Sequence, residues 1–224
     1  MPRWPVPQSI QRSKPIPASG LRGCCTLTND VDRALLLDVA REAIAAHVGG
    51  RDARLPPIEG VFARAAGAFV SLHSNGELRG CVGHIEADDV LGRVIPRCAV
   101  AAGSNDPRFP AVAEIELASL SVELSLLGPL EPIEEPEAID VGRHGLVVES
   151  GWRRGLLLPQ VAIEWRWDPK TFLARACEKA GLPRDAWKEG VKPGMKPGVK
   201  LWRFEAEVFS DASGGSVTVM SLPR

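Results

Sequence analysis

Residues 67–85 read Gly67-Ala68-Phe69-Val70-Ser71-Leu72-His73, then Ser74-Asn75-Gly76-Glu77, then Leu78-Arg79-Gly80-Cys81-Val82-Gly83-His84-Ile85. Two apolar-rich runs flank an Asn-Gly pair, the dipeptide that most readily fills both central positions of a tight turn with positive φ. The spacing predicts an antiparallel hairpin turning at Asn75-Gly76. Regular pairing outward from that turn sets Ser74 opposite Glu77, Leu72 opposite Arg79 and Val70 opposite Cys81. In that register Cys81 shares the apolar side of Ala68, Val70 and Leu72, where a cysteine is a small buried residue. A bulge at either glycine turns Cys81 to the other side.

Upstream, from Asp30 to Val48, Leu35, Leu36, Val39, Ala40, Ala43, Ile44 and His47 recur at three and four. Asn29 or Asp30 is placed to cap and Gly49-Gly50 to stop, so a helix with His47 on its inner face is expected. Downstream, Asp88 is placed to cap a helix with Val90, Leu91, Val94, Ile95, Cys98, Ala99 and Ala102 inward, kinked or restarted at Pro96. Ser119 to Leu127 alternates polar and apolar residues as a half-buried strand. Leu146–Glu149 and Gly155–Leu158 read as two strands around Ser150-Gly151. Asp168-Pro169 opens a helix that Gly181 ends, and Trp202, Phe204, Ala206 and Val208 mark a last strand. Strands mixed irregularly with helices argue for an α+β fold of antiparallel sheets with flanking helices.

Residues 1–27 carry five prolines and four basic residues with no acid, the composition of a flexible tail. A domain over 28–212 and a C-terminal tail over 213–224 follow. Residues 190–200 repeat Lys-Pro-Gly, a loop presenting Lys192, Lys196 and Lys200 either to solvent or to a phosphate. The 224 residues hold 27 Lys and Arg against 28 Asp and Glu, a net charge of -1. That balance does not indicate RNA or an anionic membrane as partner. No apolar run reaches the roughly 20 residues needed to span a bilayer, and no signal-peptide core is present, so a cytoplasmic protein is expected. Five scattered cysteines fit reduced thiols better than a disulfide framework.

Two glycines within one strand, Gly80 and Gly83, ask for a bulge or a close approach of something to the backbone, a bound substrate among the candidates. On a strand Arg79 and Cys81 share a face, and a guanidinium near a thiol favours the thiolate. Cys81 is therefore the candidate catalytic residue, set against its reading as an inert structural thiol. In Asn105-Asp106-Pro107-Arg108-Phe109-Pro110, Asp106 is suited to bond turn amides. Arg108 then either projects toward a carboxylate or phosphate or forms a structural pair with Asp106. Cys81 and His84 form a Cys-x-x-His pair with no second pair at matching spacing, so no metal site is expected. The residues name no cofactor.

Leu-Arg-Gly-Cys-Val-Gly at 78–83, Asp-Pro-Arg-Phe at 106–109, Val-Glu-Leu-Ser-Leu-Leu at 122–127, Leu-Leu-Pro-Gln-Val-Ala at 157–162 and Phe-Leu-Ala-Arg-Ala-Cys-Glu-Lys-Ala-Gly-Leu at 172–182, in this order, resemble the AMMECR domain family, also called AmmeMemoRadiSam system protein A. The resemblance implies an α+β protein in two unequal lobes, with the Leu-Arg-Gly-Cys strand near a groove between them. It also implies association with Memo-like and radical-SAM proteins in a modification pathway. Under that reading Arg79, Gly80, Gly83, Asp106 and Arg108 bind a small anionic substrate, and Cys81 acts as nucleophile or general acid. The alternative is a non-catalytic module that binds a protein or RNA.

Overall fold

The computed structural model of the protein describes residues 28–190, 198–213 and 216–219. The expected N-terminal tail and most of the Lys-Pro-Gly loop lie outside these residues, whereas part of the expected C-terminal tail, Ser216–Val219, forms a strand. Helix α1 spans Asp30–Val48, with the Asn29 side chain accepting from the Asp32 amide. Its inner face is built from Leu36, Leu37, Val39, Ala40, Ala43 and Ile44. His47, expected on that face, is exposed instead, because the buried stripe leaves the helix through Ala46.

The hairpin forms as strands β1, Ala68–Ser74, and β2, Glu77–His84, with Asn75 and Gly76 at φ 53 and 83. Its pairing differs from the regular register. Ser74 faces Glu77 and His73 faces Leu78, but Leu72 then faces Gly80, so Arg79 is an extra residue on β2. This bulge moves every later residue by one, and Cys81 lies opposite Ser71 instead of Val70. The expectation that Cys81 points to the side of Val70 and Leu72 is corrected accordingly.

Helix α2, Leu91–Ser104, starts at Val90 without a side-chain cap, and Asp88 hydrogen-bonds His84 instead. Pro96 lies inside the helix, buried, and the helix continues through it. Strand β3, Leu120–Leu127, pairs along β1 from Ser74–Leu120 to Ala68–Leu126. The short β4, Glu131–Pro132, precedes the β5–β6 hairpin, His144–Ser150 and Arg153–Leu157, which turns at Gly151. Helices α3, Pro159–Glu164, α4, Pro169–Lys179, and α5, Trp187–Gly190, follow, then strands β7, Lys200–Ser213, and β8, Ser216–Val219. Asp168 caps α4 as expected, accepting from the Thr171 amide at 2.7 Å.

Contacts divide the chain into two units, one of residues 1–127 and 207–220, the other of residues 128–206 and 221–224. In the first, strands run in the order β2-β1-β3-β7, and β8 pairs with β7. Helices α1 and α2 cover the side carrying Ala68, Val70, Leu72, Val122, Leu124 and Leu126, all buried in one cluster with the inner faces of both helices. In the second unit the order is β6-β5-β7, with β4 also pairing β7. There α4 lays Phe172, Leu173, Ala176 and Cys177 on Leu146, Val148 and Leu201. The architecture is α+β with antiparallel pairing in every ladder described.

Candidate functional site around Cys81

Strand alternation sorts the first unit's sheet into two faces. Opposite the helices lie Phe69, Ser71 and His73 of β1, Cys81 and Gly83 of β2, and Ser121, Glu123 and Ser125 of β3. Cys81, Ser71 and Glu123 occupy one row across three strands. The Ser71 hydroxyl donates to Cys81 Sγ at 3.3 Å. Two buried polar atoms on this face, His73 Nε2 and Ser125 Oγ, have no hydrogen-bond partner among the described residues.

The turn after α2 is tied to β2 by one carboxylate. Asp106, 5% exposed, accepts the Cys81 amide on Oδ2 at 2.9 Å and the Arg108 amide on Oδ1 at 3.1 Å. Arg108 folds back on it as a fork, Nε to Oδ1 at 2.9 Å and Nη2 to Oδ2 at 2.5 Å. The guanidinium also lies over the Phe109 ring, 5.3 Å from its centroid. Arg108 therefore sits against the turn as a fixed charge. Burial raises the Asp106 pKa, but the bonds from Arg108 and the Cys81 amide outweigh this and hold it below the usual carboxylate range.

Arg79, pushed out by the bulge, reaches elsewhere. Its Nε and Nη2 clasp Glu116 at 2.8 and 3.0 Å, and Nη1 donates to the Pro110 carbonyl at 2.8 Å. With Arg79 bound to the 110–116 segment, the charge that acts on the thiol is that of Arg108. The Cys81 pKa is raised: burial is the largest influence, opposed by the Ser71 hydrogen bond and the Arg108 charge, and reinforced by the charges of Asp106 and Glu123. Cys81 is half-buried and unbridged. Its ground state near neutral pH is the thiol, S–H in place.

The glycines are explained by the protein's own atoms. A Cβ on Gly80 meets the Ala102 carbonyl oxygen at 2.1 Å, so the end of α2 rests on the strand backbone there. On Gly83 it meets the Phe69 ring at 2.3 Å. The structure thus brings Cys81, Gly80, Gly83, Asp106 and Arg108 together and turns the Arg79 guanidinium to Glu116. Sequence reasoning missed Ser71, Glu123 and Glu116; a bulge placed at Arg79 finds the first two. His84 Nε2 lies 2.5 Å from Asp88 Oδ1. Among the described residues no group of three His, Cys, Asp or Glu side chains is placed to hold a metal ion. No helix among them is long and apolar enough to cross a membrane.

The AMMECR1 family matches residues 37–209. An uncharacterised protein of Methanothermobacter thermautotrophicus is 42% identical over 193 residues, 83% of this chain and 96% of that protein. One of Methanocaldococcus jannaschii is 41% identical over 181 residues, 77% and 86% of the two chains. The crystal structure of an uncharacterised protein from Pyrococcus horikoshii superposes with a TM-score of 0.77 at 36% identity, covering 87% of this chain and 98% of that one. The family match spans most of the chain and a solved relative shares its fold, and the protein belongs to the AMMECR1 family.

Proposed function

We propose that the protein binds a small anionic substrate beside Cys81, with Arg108 as the anion contact and the Cys81 thiol as general acid, within the modification pathway of Memo-like and radical-SAM proteins that its family resemblance implies. One observation carries this reading. A single buried carboxylate, Asp106, holds both the Arg108 guanidinium and the backbone of Cys81, so a positive charge and a protonated thiol are fixed on one support. Preorganised charge of this kind stabilises an anion without reorganising. The raised thiol pKa suits a proton donor better than a resting thiolate. Gly80 and Gly83 serve by letting α2 and Phe69 close on the strand, and Arg79 by anchoring the 110–116 segment.

Iodoacetamide labelling of Cys81, followed by mass spectrometry, tests the site. Labelling of the native protein is expected to be slow at pH 7.5, to rise steeply in alkali, and to be slowed further by millimolar inorganic phosphate. Phosphate protection is expected to vanish in Arg108→Ala. Labelling at the rate of an unfolded cysteine, with no anion effect, sinks the proposal.

A further inference from the structure

The sheet face that carries Cys81 also carries a charge that anion binding by itself does not use. Among the described residues that β1, β2 and β3 turn to this face, Glu123 is the one carboxylate and His73 the one base. Glu123 stands in the row of the thiol: Cys81 lies directly opposite Ser71, and Ser71 directly opposite Glu123. Neighbouring strands are about 4.8 Å apart, so two spacings set the Glu123 backbone about 10 Å from that of Cys81. Ser71, between them, is 6% exposed and Glu123 is half-buried, so the row is partly withdrawn from water, where charges act more strongly.

The cation lies at the other end of this row. β2 is the last strand of the sheet, and Asp106 accepts the Cys81 amide on its free side while holding Arg108. The guanidinium is thus placed beyond the edge of β2, and Glu123 two strands inward, with the thiol between them. The charges that act on the thiol are those of Arg108, Asp106 and Glu123, one positive against two negative. A substrate that is anionic throughout is drawn to Arg108 and repelled by Glu123. A diamine fails in the opposite way, at Arg108. An anion with an ammonium at its far end meets favourable charge at both ends. We infer that the substrate of this site is an ω-amino anion, lying across β2 and β1 over Cys81 with its carboxylate or phosphate at Arg108 and its ammonium at Glu123. This rests on the reading of Arg108 as the anion contact. It does not require Glu123 to be otherwise unengaged, because an ionised carboxylate offers about four acceptor positions.

Alkylation of Cys81 by iodoacetamide in the full chain tests the inference, with 6-aminohexanoate, hexanoate or inorganic phosphate added as protecting agent. Each rate is compared with the unprotected rate of the same variant. Half-protection by 6-aminohexanoate is expected at a roughly fivefold lower concentration than by hexanoate. In Glu123→Gln the two acids are expected to protect alike, while phosphate, which that carboxylate repels, protects the variant at least as well as the parent. Glu123→Asp is expected to keep part of the amine advantage. Circular dichroism checks that both variants are folded, and the preference of the parent protein is a test that needs neither. The inference is overturned if hexanoate protects the parent as well as 6-aminohexanoate does, or if the amine advantage survives in Glu123→Gln. Phosphate protection without an amine advantage sinks this inference and leaves the anion site standing, whereas failure of every anion to protect Cys81 removes the Arg108 reading as well.

Discussion

Around Cys81 the charges act in opposite senses, and their signs give a test that packing alone does not. Arg108 stabilises the thiolate, while Asp106 and Glu123 oppose it. Arg108→Ala is therefore expected to push the thiol pKa higher and slow alkylation at a fixed pH, and Glu123→Gln to lower it and speed alkylation. A pH series of labelling rates reads both shifts; movement in the same direction contradicts the arrangement. Asp106 supplies a second prediction. Its folded pKa is depressed, so its contribution to stability is complete above the ordinary carboxylate pKa of about 4 and is lost as pH falls through the lower folded value. Glu116, held below its usual range first by the hydrogen bonds from Arg79 and then by the Ala113 amide, follows the same course. Asp106→Asn is expected to be less stable than the parent at pH 7 and to lose less on going from pH 5 to pH 3, as urea midpoints will show. The Asp106 bond to its own turn amide and its pairing with Arg108 were legible in the sequence; the reach of Asp106 to β2 was not. Asp106 and Cys81 are 25 residues apart, and no periodicity reports that a turn carboxylate reaches a particular strand amide.

At the level of elements, the hairpin was readable because its causes are local. Asn75-Gly76 fixes the turn, and the first two pairs follow from it. The bulge was not readable, because what favours it is the end of α2, whose Ala102 carbonyl presses on Gly80. This contact makes the two strand glycines unequal. In Gly80→Ala the new methyl meets backbone and is expected to cost about 3 kcal/mol, whereas in Gly83→Ala it meets a ring able to turn aside, at about 1 kcal/mol. Thermal unfolding of the two variants gives the order; equal losses contradict the packing. Arg79→Ala, which leaves Glu116 and a carbonyl without their partner, is expected to lower stability by about 1–3 kcal/mol. Buried His144 shows the same limit of local reading. A place in the turn before Leu146 suggests the surface, yet it is 7% exposed, its Nδ1 accepts the Asp140 amide, and burial lowers its pKa.

For the molecule as a whole, alternation and helical spacing identified the α+β class and much of the core, including Val39, Ile44 and Ile95. They did not show that the first unit is assembled from two separate stretches of chain. Thr28 and Arg33 both bond Glu207, and Arg41 bonds Asp211, whose Oδ1 also accepts the Val122 amide at 2.8 Å. A chain ending at Leu127 lacks all of these acceptors. It is expected to show no cooperative unfolding transition, while a version carrying residues 207–219 joined by a flexible linker is expected to regain one. Circular dichroism melts of the two proteins decide the point.

That divided first unit sets an order of events during synthesis. The residues of Gly128–Ala206 leave the ribosome as one uninterrupted stretch and are able to fold as soon as they emerge, since domains fold as units while the chain grows. The two helices and three strands that precede them must wait with an open sheet flank until Glu207 and Asp211 arrive. The half made first is thus completed last, and for the time it takes to translate about 80 residues the flank of β3 that β7 will cover has no strand to pair with.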